Sequence, residues 1–211
     1  MQSPLYLLRD PLQFVAFVVA VIVAISFHEF SHAAVATLQG DDTARSQGRL
    51  TLNPISHLDP LGTIAIILVG FGWGRPTPFT LSRLRTGRTG AALVALAGPI
   101  SNFLIAVVSA VVLRLVISGG ADPSSSTVTL LLWLIQLNVL FGVFNLLPIP
   151  PLDGSRLLSI WLPPSRQGIV YFLDRYGIFL LLGLLLLAPG LLTPVFREFE
   201  RAILGLVGLV Y

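Results

Sequence analysis

The sequence predicts an all-α, polytopic membrane protein. Three observations carry that prediction. Of the 211 residues 55% are hydrophobic and only 11% charged. The mean hydropathy is +0.87, far above that of an ordinary soluble domain. Several apolar runs approach or exceed the roughly 20 residues that cross a hydrocarbon core, and they fill most of the chain. A single integral-membrane domain over residues 1–211 is therefore expected, with the lipid bilayer as its surroundings.

The elements follow in order. The first apolar span runs from Leu12 to Leu38 and stops at Gly40-Asp41-Asp42. It is too long for the apolar part of a signal peptide, so it reads as a retained span. The polar loop after it contains "GRLTLNP", whose alternation suggests a short extended segment. Next comes "LGTIAIILVGFGWG", residues 61–74. A helix of that length reaches only about 21 Å, short of a crossing, so a re-entrant segment or hairpin is expected, with the glycine-rich "GFGWG" as its turn. The second full span runs from Ala91 to about Ile117 and the third from Val128 to about Leu147, ending in the proline-rich "PIPPLDG". A fourth apolar run covers Gly177 to Leu192, and Val195 to Tyr211 reads as an interfacial or short terminal helix.

All 13 basic residues are arginine, set against 10 acids, for a formal charge of +3. They fall in connecting loops rather than in a basic patch interleaved with aromatics, so no nucleic acid is expected as a partner. Arginine-rich loops stay cytoplasmic. Residues 75–90 and 154–176 should then face inward and 118–127 outward, so that the second span leaves the cytoplasm and the third returns to it. The chain has no cysteine, which excludes disulfides, thiol nucleophiles and cysteine ligands; any metal must be held by His, Asp or Glu.

The chemistry lies in "SFHEFSHAA", residues 26–34. Two of the three histidines of the chain, His28 and His32, sit here with Glu29 at the end of an apolar span. Ionisable groups inside spans are costly and usually functional. His28-Glu29-Phe30-Ser31-His32 has the form H-E-x-x-H. One helical turn apart, the imidazoles share a face and can grip one Zn²⁺, while Glu29 is placed to take a proton from water activated by that metal.

A catalytic zinc needs a third protein ligand and an open position. His57, Asp59, Asp153, Glu198 and Glu200 are the candidates. Depth separates them: Asp153 follows the inward end of the third span, and it meets His28 and His32 if the first span also ends inside. That condition requires residues 61–74 not to cross. Three prolines, Pro148, Pro150 and Pro151, break the helix just before Asp153, and irregular backbone at that depth marks a protein-lined cavity.

"HEFSH", then "AGPISN" (Ala97–Asn102), then "NLLPIPPLDG" (Asn145–Gly154) together resemble the site-2 protease family of intramembrane zinc metalloproteases. The resemblance covers about residues 12–160. It implies a three-helix catalytic core there, with additional C-terminal membrane helices over about 168–211, and one metalloprotease domain over the chain. It implies zinc as cofactor, with His28, His32 and Asp153 as its ligands and Glu29 as catalytic base. Asn145 matches a family position tied to substrate or oxyanion contact, and Asn102, in the matching G-P-x-x-N, is carried over in the same role. The loop segments "GRLTLNP" and "HLDP" are similar to the compact prokaryotic form, without PDZ or CBS domain. The implied activity is cleavage of transmembrane protein substrates in the cell membrane, at an active site near the cytoplasmic side.

Two other readings stand beside it. One is a membrane metalloprotease of the CAAX-processing type, with Glu198 or Glu200 as third ligand. The other is a metal-binding transporter or scaffold without catalysis. For His57 and Asp59, a turn-capping role in "SHLDP" is expected over a second metal site.

Overall fold

The computed structural model describes residues 4–69, 72–188 and 190–209. Helix α1 spans Pro11–Leu38. It begins where Asp10 caps it, the carboxylate accepting from the Leu12 and Gln13 N–H groups at 3.1 and 3.2 Å, with Pro11 in the first turn, where no N–H is needed. It ends at Gly40, whose φ of 96° lies in the left-handed region. Gly40 and Asp41 then donate back to Thr37 and Ala36 carbonyls at 2.9 Å, closing the helix end.

A one-turn helix α2, Thr43–Ser46, follows. The expected extended stretch at "GRLTLNP" forms no strand. The stretch ends in a local cap instead: the Asn53 side chain accepts from Ile55 N–H at 3.1 Å and caps a 3₁₀ turn at Pro54–Ser56.

Helix α3, Pro60–Val69, is ten residues long, about 15 Å. The chain then comes back. Leu58 and Gly74 form an antiparallel bridge, and Arg75 N–H donates to the His57 carbonyl at 2.7 Å. The two ends of the segment thus stand side by side, as a hairpin requires. The returning strand passes so close to α3 that a Cβ at Gly62 or Gly72 would run into the opposing backbone. Gly70 and Phe71 of the expected glycine turn lie outside the described residues.

Helix α4 covers Arg88–Ser118 and α5 Ser126–Asn145. With α1 they form the central bundle, packed through small residues such as Ala20, Ala24, Ala106 and Ala110, all without exposed surface. Small side chains let membrane helices approach closely where no hydrophobic drive separates helix from lipid. The C-terminal end of α1 meets the start of α4, Arg85 N–H donating to the Gln39 carbonyl at 2.8 Å and the Thr86 hydroxyl to the Gln39 side chain at 3.1 Å. α1 and α4 are therefore antiparallel.

Helix α6, Asp153–Trp161, occupies what the sequence presented as loop. Helix α7 runs over Gln167–Leu187, starting ten residues before the expected Gly177, and α8 over Thr193–Leu206. Among the described residues four helices, α1, α4, α5 and α7, are long and apolar enough to cross a membrane. α8 docks on the far halves of α4 and α5: Ile203 and Leu204 join a core with Ala106, Ala110, Leu113, Val128 and Leu131, the Phe199 ring stacks on Phe103 at 5.5 Å, and Arg114 donates to the Gly208 carbonyl at 3.3 Å.

Candidate metal centre

His28 and His32, one turn apart on α1, turn their Nε2 atoms toward each other at 3.0 Å. Asp153, at the first residue of α6, sets its Oδ2 at 3.0 Å from His28 Nε2 and 3.2 Å from His32 Nε2. Donor atoms around a tetrahedral zinc stand about 3.3 Å apart, given bonds of about 2.0 Å, so the trio has the right size for one such ion. It is also the one group of three or more metal-binding side chains found among the described residues.

The outer nitrogens explain the orientation. His28 Nδ1 lies 2.7 Å from Asn102 Oδ1. The Asn102 amide donates to the Ala24 carbonyl at 3.1 Å and to Asn138 Oδ1 at 2.8 Å, so its oxygen faces the imidazole and must accept. Asn138 in turn donates to the Leu134 carbonyl at 2.8 Å. His32 Nδ1 lies 2.6 Å from the Val94 carbonyl. Both rings therefore carry a proton on Nδ1, which in the neutral imidazole leaves the Nε2 lone pair for the centre. Nε2 of both rings and a carboxylate oxygen, converging at 3.0–3.2 Å, form a donor set that one cation can join.

Helix α4 lets this happen at Gly98 and Pro99. A Cβ at Gly98 would stand 2.5 Å from both His28 Cε1 and His32 Nε2, so only glycine brings α4 against the imidazoles. Pro99 lies inside the helix, lacking an N–H for the Ala95 carbonyl and loosening the turn next to Val94. On the far side, Gly154 lies so close to the Leu146 and Leu147 carbonyls that a Cβ would collide with them; this contact folds α6 back on the end of α5 and delivers Asp153.

Glu29 points to the returning segment. Its Oε2 accepts from Thr77 N–H at 2.8 Å, and the Thr77 hydroxyl donates to the Glu29 carbonyl at 3.0 Å.

Residues 115–184 match the family model described as peptidase family M50. Over 201 residues the chain is 40% identical to "Putative zinc metalloprotease YwhC" of Bacillus subtilis, across 92% of this chain and 91% of that protein. The chain belongs to the site-2 protease family, peptidase family M50. It is also 32% identical over 191 residues to "Putative zinc metalloprotease Rip2" of Mycolicibacterium smegmatis, across 86% of this chain and 71% of that protein. No solved structure matches it. This site-2 protease is a membrane-embedded zinc metalloendopeptidase.

The other candidates fall elsewhere. Fully buried His57 holds the loop, its Nε2 2.7 Å from the Thr51 carbonyl, and Asp59 caps α3 by accepting from Gly62 N–H at 2.9 Å. Glu198 and Glu200 sit on α8, Glu198 paired with Arg201 at 2.7 Å, and among the described residues neither joins the trio. Asn145 is half-buried at the end of α5, its amide donating to the Phe141 carbonyl at 3.0 Å. Asn102 has no exposed surface and cannot touch a substrate where it lies. Asn138, absent from the sequence-based site, completes the chain behind His28.

Proposed function

We propose that this site-2 protease is an intramembrane endopeptidase that hydrolyses transmembrane segments of protein substrates, with His28, His32 and Asp153 holding the zinc and Glu29 as general base. The observation that carries the reading is the convergence of His28 Nε2, His32 Nε2 and Asp153 Oδ2 inside a bundle of spans. Zinc, when bound, supplies a Lewis acid that brings the pKa of water to about 7 and polarises a peptide carbonyl. The chain supplies the rest. Thr77 N–H engages Glu29 Oε2, so Oε1 is the oxygen we assign to take the proton and pass it to the leaving amine. Asn102 orients His28 rather than the substrate. Asn145, half-buried where Asn102 is sealed off, is the one we assign to the substrate or the developing oxyanion.

A transmembrane helix hides its carbonyls in its own hydrogen bonds, so the substrate must unwind at the cleavage point, and Gly, Pro or Asn there should favour cleavage. The site lies six to ten residues from the end of α1, about 9–15 Å deep. Because that end shares its level with the arginine loops, we place it near the cytoplasmic face of the cell membrane.

The test uses purified protein in proteoliposomes with a single-span substrate and mass-spectrometric mapping of the products. Cleavage within the span, abolished by chelation and restored by added zinc, is the expected result. Cleavage confined to soluble flanks, or unaffected by chelation, contradicts the proposal.

A further inference from the structure

We propose that Asp41 is a positioning residue for the general base, holding the Thr77–Thr80 segment so that Thr77 N–H meets Glu29 Oε2; the proposal rests on the reading of Glu29 as the base. The segment that carries Thr77 has no helix or ladder of its own between Arg75 and Thr80, so its place over α1 must come from anchors. One anchor is the Thr77 pair of bonds to Glu29 itself. A second is Phe79, packed against Ala36, Leu84, Ala91 and Val94, and a third is Asp41, a carboxylate with no exposed surface just past the end of α1. Its Oδ2 accepts from Thr80 N–H, and its Oδ1 accepts from the N–H and the hydroxyl of Thr43. The Thr43 hydroxyl lies 3.2 Å from that of Thr80 and accepts from Arg83 at 3.2 Å.

This arrangement ties one end of a short segment to α1 and the other to the turn just past the end of α1. Glu29 and Asp41 are twelve residues apart, Thr77 and Thr80 three, and the span between the anchors fixes where the Thr77 N–H falls. Burial works against the Asp41 charge, but the hydrogen bonds from Thr43 and Thr80, helped by Arg83, hold its carboxyl below the usual carboxylate range. It thus acts as a permanent acceptor. An amide at position 41 would turn an N–H₂ against the Thr80 or Thr43 donors, leaving one of them unpaired.

The experiment measures kcat, KM and bound zinc for the reconstituted full chain carrying Asp41→Asn, Thr80→Pro, or both. Thr80→Pro removes the N–H that Asp41 accepts. Expected for each single variant is a fall in kcat of about tenfold or more with KM within about twofold, one zinc retained per chain, and a double variant no worse than the singles, since both cut one link. Unchanged kcat in folded, zinc-loaded Asp41→Asn overturns the proposal, as does a loss that merely tracks unfolded or zinc-free protein, or additive losses in the double. If one single variant does not fold, the other decides by the same kcat and KM criterion. Wild type and Glu29→Gln run alongside: equal activity in those two removes the base assignment itself, whatever Asp41 does.

Discussion

At the residue scale, the proposal that His28 and His32 are metal ligands depends on what lies behind them. Each Nδ1 is committed to a protein acceptor, Asn102 Oδ1 or the Val94 carbonyl, which leaves Nε2 aimed inward as the nitrogen a metal would meet. Partners of this kind typically contribute 10–100-fold to metal affinity, so Asn138→Leu, which frees the Asn102 amide to rotate, should weaken zinc binding by about that factor. Competition against a chelator of known affinity reads it; an unchanged affinity would mean that the asparagine pair does not orient His28. The histidines and Glu29 were legible in the sequence because helical periodicity alone puts residues 28 and 32 on one face. Asp153 was legible through the prolines that precede it and through depth. Asn102 was carried over toward the substrate, and it stands behind His28 with no exposed surface; a motif position does not tell whether a side chain faces substrate or a fellow helix. Asn138 was missed: α5 carries Gln136 two residues earlier, and the sequence does not say which of the two amides faces the bundle.

At the element scale, two glycines set how helices approach the centre. Gly98→Ala would place a methyl 2.5 Å from imidazole atoms, and overpacking of that kind costs about 1–3 kcal/mol. Here the cost falls on the imidazoles, so bound zinc and cleavage should both be lost. Gly183→Ala on α7, where nothing lies within 4 Å, should change neither, and metal analysis of the two variants side by side checks the claim. Equal zinc content in both would show that α4 has slack at Gly98. The long spans α1, α4 and α5 were readable within a few residues because their apolar runs end at strong breakers: Gly40, Gly119-Gly120 and Pro148. Helix α6 was not readable, because "DGSRLLSIW" follows a proline run and mixes polar with apolar residues; its helicity depends on docking against α4 and the end of α5. Likewise the polar residues of Gln167–Tyr176 concealed the first half of α7.

At the scale of the whole molecule, the account depends on orientation. The end of α1, the start of α4 and the broken end of α5 share one level, and the arginine loops gather there. The cysteine-free sequence makes this directly testable. Ser124→Cys, between α4 and α5, should react with a membrane-impermeant thiol reagent in intact cells, whereas Ser165→Cys, between α6 and α7, should react only after permeabilisation. The reverse pattern would put the site near the other face. The polytopic all-helical fold followed from composition and the lengths of the apolar runs, and the hairpin at 61–74 from its shortness. The docking of α8 on the far halves of α4 and α5 did not, since an amphipathic helix specifies an apolar face but not its partner. The central claim, that this bundle holds zinc for a hydrolytic reaction run by Glu29, is tested most directly by Glu29→Gln in proteoliposomes with a single-span substrate. With all three ligands intact, the variant should keep about one zinc per chain while cleavage falls by at least about 100-fold. Cleavage at the wild-type rate by the zinc-loaded variant would contradict the account.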